Sequence, residues 1–135
     1  MSNALYDYAR ELFLTGRINW ENDDFKVALY DTTNVAPNLA THKFVQTVEA
    51  ALVGPRVTLT AKTTTGGAAD AADATFQSVS GSTIQAILIY KDVGGDVSKS
   101  PLICYIDTAT GLPITPNGGD IIVTWDNGNN KIFKL

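Results

Sequence analysis

The sequence predicts a mainly β protein, an antiparallel β-sandwich preceded by one N-terminal amphipathic helix. Three observations carry this. The longest apolar run, Ile84 to Asp92, is rich in Ile, too short for a core helix, and bracketed by Gly81 and Gly94-Gly95, so it reads as a strand. At period 2, Ile84, Ala86, Leu88 and Tyr90 fall on one face while Ile87 and Ile89 fall on the other, so both faces need cover and the strand is central. Short alternating segments broken by turn residues fill the chain beyond residue 20, with no room between them for the helices of βαβ units. About seven strands follow, with strand order open and jelly-roll-like connections as one option.

Asn3 to Thr15 places Leu5, Tyr8, Ala9, Leu12 and Phe13 at helical spacing, with Asp7, Arg10 and Glu11 opposite. Ser2 or Asn3 is the expected cap and Gly16 the stop. The apolar stripe needs a surface to cover, either a sheet end of its own chain or a neighbouring subunit, and Ile18 and Trp20 follow at once. Phe25 to Tyr30 alternates as a half-buried strand ending at Asp31-Thr32-Thr33-Asn34. Between Asn38 and Ala51 a helical turn is expected near Thr41, although Val-Gln-Thr-Val also reads as extended. After Gly54-Pro55, Val57 to Lys62 alternates as a strand with one wet face. Thr63 to Ala72 is poor in large apolar groups and is expected to be a hairpin tip or a mobile loop.

Ala74 to Val79 alternates around Phe76 and leads into the central strand, and Leu102 to Ile106 is a further apolar strand. Asp107 to Gly119 is a turn-rich connection containing Pro113 and Pro116. Ile121 to Trp125 and Ile132 to Leu135 flank Asn127-Gly128, a strong hairpin signal. The expected organisation is one structural domain, with residues 1–20 as a helix and arm and residues 21–135 as the sandwich.

Composition narrows the function classes. The chain has 135 residues, 44% hydrophobic and 18% charged, enough for one domain that buries about two-thirds of its unfolded surface. A net charge of -4 with ten scattered basic residues argues against a nucleic-acid groove, which draws its affinity from clustered Lys and Arg. One cysteine, Cys104, excludes an internal disulfide and leaves the redox compartment open, a reducing cytosol being the easier home for an unpaired thiol. No apolar stretch is long enough to span a membrane, and the start lacks the basic and apolar regions of a signal peptide.

Each candidate site has a plainer structural reading. His42 is the only histidine, and no Gly-x-Ser-x-Gly elbow or other nucleophile setting accompanies it, so loop packing is expected rather than catalysis. One Cys and one His do not make a structural zinc site. Asp23, Asp24 and Asp31, or Asp126 with Asn127 and Asn129, offer oxygens for calcium, but EF-hand spacing fails at Gly128 and carboxylates in turns usually bond their own backbone. Gly66-Gly67 and Gly118-Gly119 lack the Lys-Ser/Thr of a phosphate cradle. Cys104, in an apolar strand, reads as an inert core residue. Trp20, Trp125 and Phe133 are either core anchors or the lining of a ligand groove. Neither enzyme chemistry nor a cofactor is expected.

A long resemblance supplies what these residues do not. Ile87 to Asp92, Ser100 to Thr108, Gly111 to Asp120, Val123 to Gly128 and Lys131 to Phe133 resemble a family of small virion structural proteins of tailed bacteriophages. Ala4-Leu5-Tyr6-Asp7, Phe13-Leu14, Ile18-Asn19-Trp20 and Ala40 to Phe44 are similar to the same family, so the resemblance spans nearly the whole chain, weakest through Asp23 to Pro37 and Thr63 to Ala72. It implies a protein made in the host cytoplasm and carried in the virion. The role it implies first is capsid decoration, or cement, on the outside of the major capsid protein lattice. A receptor- or carbohydrate-binding module of a fibre, and a neck or tail-completion protein, are the competing classes. No catalytic residues come with the family. Candidate interface residues are Leu5, Tyr8, Leu12, Phe13 and Trp20 from the N-terminal stripe, for a homo-oligomer (dimer or trimer) or the shell, and Pro113 and Pro116 from the connection that best suits shell contact.

Overall fold

The computed structural model describes residues 4–107, 112–125 and 131–134. Nine strands and one α-helix are assigned among them: β1 (Ala4–Leu5), α1 (Asp7–Leu14), β2 (Phe25–Tyr30), β3 (Leu52–Thr58), β4 (Ala68–Ala69), β5 (Ala74–Phe76), β6 (Ala86–Lys91), β7 (Leu102–Ile106), β8 (Ile121–Val123) and β9 (Phe133–Lys134). The protein is mainly β and sandwich-like. A five-stranded antiparallel sheet in the order β1-β7-β6-β2-β3 is accompanied by two ribbons, β4-β9 and β5-β8.

The expected central strand is the middle strand. β6 lies between β2 and β7, with Leu88 opposite Ala28 and Tyr105, and Ile89 opposite Val27 and Cys104. Ala86 through Tyr90 are all buried, so both faces are covered as their alternation requires. The face carrying Val27 and Leu29 also carries Phe25, whose ring meets Trp20 at 4.7 Å; Trp20 in turn meets Phe133 of β9 at 5.3 Å. The other face carries Tyr30, whose hydroxyl donates to the Val35 carbonyl at 2.8 Å and whose ring stands edge-on to Tyr105 at 6.1 Å. One ribbon thus caps one face and the 31–51 segment caps the other.

Several expected boundaries move, each because tertiary pairing overrides local pattern. The helix begins at Asp7 rather than Asn3, because Leu5 is taken by the sheet edge opposite Cys104, and Tyr6 stands at the N-cap without a side-chain bond in place of Ser2 or Asn3. Gly16 does end it: at φ +71° it lets its own N–H reach the Phe13 carbonyl and the Arg17 N–H reach the Leu12 carbonyl at 2.9 Å, a Schellman closure. β2, expected to be half-buried, is flanked on both sides, and only Lys26 keeps partial exposure.

The strand expected at Val57 to Lys62 lies earlier, at Leu52–Thr58, so Gly54-Pro55 sits inside it rather than before it. β3 is an edge strand, where proline costs no ladder bond. Its register jumps from Val27↔Val57 to Leu29↔Val53, and Gly54 at φ +70° forms the bulge. Near Thr41 the chain makes a single turn, closed by the His42 N–H on the Asn38 carbonyl at 2.9 Å, with Asn38 Oδ1 accepting from Ala40 N and Thr41 N; two 3-10 turns follow at Val45–Thr47 and Glu49–Ala51.

Residues 63–72 are not a free tip. Thr63 and Asp70 exchange backbone bonds at 2.9 and 3.1 Å, and Ala68–Ala69 is buried against β9. The expected C-terminal hairpin is not seen as a pair: β8 pairs with β5 and β9 with β4, while residues 126–130 lie outside the described residues. The described part of the 107–119 connection is stitched to the body, with Ile114 and Ile84 exchanging bonds at 2.8 and 2.7 Å and Val79 closing on Gly118 and Gly119. One buried cluster runs from Leu5 and Ala9 through the sheet to Phe133, so the N-terminal segment shares the core of the strands.

Candidate functional site

Among the described residues an apolar groove of ≈ 340 Å³ is lined by Phe13, Gly16, Ile18, Asn19, Trp20, Thr64, Gly67, Ala69 and Phe133. Its walls are rigidly placed. The Schellman closure sets Phe13 and Gly16, and Phe13 packs on Phe133 at 5.8 Å. The loop after it is tied by Lys91, whose Nζ donates to the Arg17 carbonyl at 3.0 Å and pairs with the Asp23 carboxylate at 3.1 Å. Asp23 also accepts the Asn19 N–H at 2.8 Å, and the Lys62 ammonium donates to the Asp23 carbonyl. Opposite, Trp20 Nε1 donates to the Asp70 carbonyl at 3.1 Å and Thr64 Oγ1 to Glu21 Oε2 at 2.5 Å.

This arrangement packs apolar surface. None of the lining side chains titrates. Trp20 and Phe133 are only 5% and 9% exposed, which leaves little ring surface for stacking. Trp125, grouped with them on sequence grounds, stands apart from the groove lining and anchors its indole Nε1 to the Ala72 carbonyl at 3.0 Å.

A second, polar cleft of ≈ 240 Å³ runs between Asp31, Asn34, Ala50 and Ser82. Asp31 is buried, and its carboxylate accepts from Thr33 Oγ1 at 2.6 Å and Thr33 N at 3.0 Å. The Thr33 hydroxyl holds its carboxyl below the usual range, with burial opposing. Asn34 Nδ2 donates to the Ala50 carbonyl at 2.8 Å, so the cleft's polar groups are spent on closing the 31–51 segment.

The remaining candidates are dispersed. His42 is half-buried beyond the turn that Asn38 caps. Cys104 is fully buried, and desolvation pushes its thiol up to about 12, so the thiolate is suppressed. Asp23 is ion-paired and Asp31 is bonded to its own turn; Asp126, Asn127 and Asn129 lie outside the described residues. Among the described residues no group of three or more His, Cys, Asp or Glu side chains is placed to hold a metal ion. No helix there is long and apolar enough to cross a membrane.

The expected interface residues separate into two sets. Leu5, Leu12 and Trp20 are buried within their own chain, which answers the stripe's need for cover and leaves them little surface to give a partner. Tyr8 and Phe13 are half-buried against Phe44 and Phe133, Pro113 is exposed, and Pro116 is partly so. The apolar residue that does stand out is Leu14, at 88% exposure. Its signal was legible: on a helical wheel Leu14 falls with Asp7, Arg10 and Glu11 on the polar face. No protein-family model matches the chain, and no curated protein matches it either.

Proposed function

We propose that this is a virion structural protein of a tailed bacteriophage, a decoration or cement protein that binds the outer surface of the major capsid protein lattice and stabilises the head. The observation that supports it is the extent of the resemblance. The segments that resemble the small phage virion proteins overlap β6, β7 and the stitched connection after β7, and β6 and β7 build much of the core. A cement protein needs a compact, cofactor-independent body and a surface to lay across shell subunits. Repeated over the lattice, contacts of modest affinity add up to a large gain in particle stability. Its net charge of -4 suits the outside of the shell, away from packaged DNA.

The partners in this reading are the major capsid protein and further copies of this chain. Exposed Pro113 and partly exposed Pro116 keep the connection after β7 as the candidate for shell contact, because proline lowers the ordering cost of binding. The test is particle-based: heads made without the protein are expected to assemble but to lose DNA at lower temperature than wild type. Heads of undiminished robustness that fail to adsorb to the host would instead favour a receptor-binding module, for which the aromatic groove is the one supporting feature.

A further inference from the structure

We propose that Asn117-Gly118 is a latent modification site, a succinimide-forming step that the folded chain holds shut through its stitch to Val79. The sequence contains two Asn-Gly steps, Asn117-Gly118 and Asn127-Gly128, and the first lies in the described part of the connection after β7. The chemistry belongs to the pair itself. The Gly118 backbone nitrogen attacks the Asn117 side-chain carbonyl carbon, a C–N bond forms, and Nδ2 leaves as ammonia carrying the proton that Gly118 gives up. Water then opens the five-membered imide at either carbonyl, giving Asp or isoaspartate. No oxidant is consumed, and glycine, having no Cβ, leaves the attacking nitrogen unhindered. Asn117 and Gly118 are both exposed, and a Cβ built on Gly118 would meet open space, so water reaches the step.

Hydrogen bonds engage both reacting groups in the folded chain. The Gly118 N–H donates to the Val79 carbonyl at 2.7 Å, so the proton that must leave the nucleophile is held there. Asn117 Oδ1 accepts from the Gly119 N–H at 3.0 Å, which fixes the side-chain amide against its own turn. The Val79 N–H donates back to the Gly119 carbonyl at 2.9 Å, and Val79 is wholly buried, so the stitch is anchored in the core. Ring closure therefore waits on local opening, and its rate follows the open fraction. Isoaspartate routes the main chain through Cγ and inserts a methylene between residue 117 and Gly118. The register of Gly118 and Gly119 against Val79 then has no way to re-form, so the modification is a one-way record of opening. It rests on backbone chemistry and is independent of the role proposed above.

Peptide mapping of the full chain tests it. Cleavage before aspartate releases a fragment bracketed by Asp107 and Asp120 in which Asn117 is the only asparagine, which separates it from Asn127. The chain is held in mildly alkaline buffer, native or unfolded in urea, and Asp and isoaspartate at residue 117 are counted by mass spectrometry. The unfolded chain is expected to react at Asn117 and the native chain to react about tenfold more slowly or less. Asn117→Gln, which cannot close a five-membered ring, is expected to abolish the reaction in urea. The native slowing is also expected to match the hydrogen-exchange protection of the Gly118 amide to within about tenfold, since both wait on the same opening. Chains carrying isoaspartate are expected, once refolded, to lose exchange protection at Val79 and Gly118. Equal rates in the native and unfolded chains overturn the proposal, as does an unfolded chain that is inert at Asn117. So does a native Asn117 that stays unmodified while the Gly118 amide exchanges freely, or an isoaspartate chain that refolds with the stitch protected.

Discussion

Trp20 Nε1 donates to the carbonyl of Asp70 at 3.1 Å, joining the loop after α1 to the segment poorest in apolar side chains. Trp125 does the same two residues further on, donating from Nε1 to the Ala72 carbonyl at 3.0 Å. Two indoles thus hold a stretch that has little of its own to bury, and the backbone pairing of Ala68–Ala69 with β9 completes the hold. Replacing Trp20 with Phe keeps most of the packing and removes the donor. The expected cost is about 1 kcal/mol, with faster hydrogen exchange confined to residues 63–72. Exchange unchanged in that segment would show that the indole bond does not restrain it.

Leu88 sits at the centre of the central strand, with no exposed surface and with Ala28 and Tyr105 beside it. Truncation to Ala removes buried methyl groups from a site walled by two neighbouring strands, where collapse is hard. The expected loss is about 2–5 kcal/mol in urea denaturation. A loss below about 0.5 kcal/mol would contradict the placement of β6 between two covered faces.

Gly54 combines φ +70° with a crowded site, since a Cβ there would stand 3.2 Å from Val79 Cγ1. Ala at this position carries both the left-handed backbone penalty and a contact with a branched side chain that is itself buried. Gly54→Ala is expected to cost about 1–2 kcal/mol, whereas Gly66→Ala, at φ +67° with open space around it, should show the backbone part alone. Equal costs at the two sites would remove the steric contribution.

Alkaline pH should destabilise the fold. Burial pushes the Cys104 thiol from 9.0 up to about 12 and the Tyr30 phenol from 10.0 up to about 12, the latter with a smaller contribution from Tyr105. Both groups keep their protons longer in the folded chain than in the unfolded one. Their contribution is therefore fully present below about pH 9 and is lost progressively as pH rises towards 12. Urea midpoints measured from pH 7 to 11 are expected to be flat at first and then to fall. In the same range of folding, Cys104 should resist alkylation at pH 8 until the chain is denatured. A thiol that reacts freely in the native protein would mean that β7 is not sealed.

Much of the fold was legible from local pattern. β7 was read to the residue, and β6 was recognised as central because a run apolar on both faces has no other stable place. What pattern missed was decided by partners distant in sequence. Leu5 has helical spacing with Tyr8 and Leu12, yet it pairs with Cys104 a hundred residues away along the chain. Gly54-Pro55 has the composition of a turn, yet an edge strand absorbs it as a bulge. Ala68–Ala69 has no apolar bulk to announce a strand, and its order comes from β9 and from two tryptophans elsewhere. The apolar groove is half visible in the sequence, where Trp20, Trp125 and Phe133 share a residue type, but only the tertiary fold places Trp125 apart from the other two.

The cement reading is tested most directly by counting the protein on purified phage heads, by quantitative mass spectrometry of intact particles alongside cryo-electron microscopy of their surface. Copies are expected in fixed proportion to the major capsid protein, bound on the outside of the shell, with heads that release DNA at lower temperature when those copies are absent. A handful of copies per particle confined to a fibre or the neck, or none at all, would contradict it.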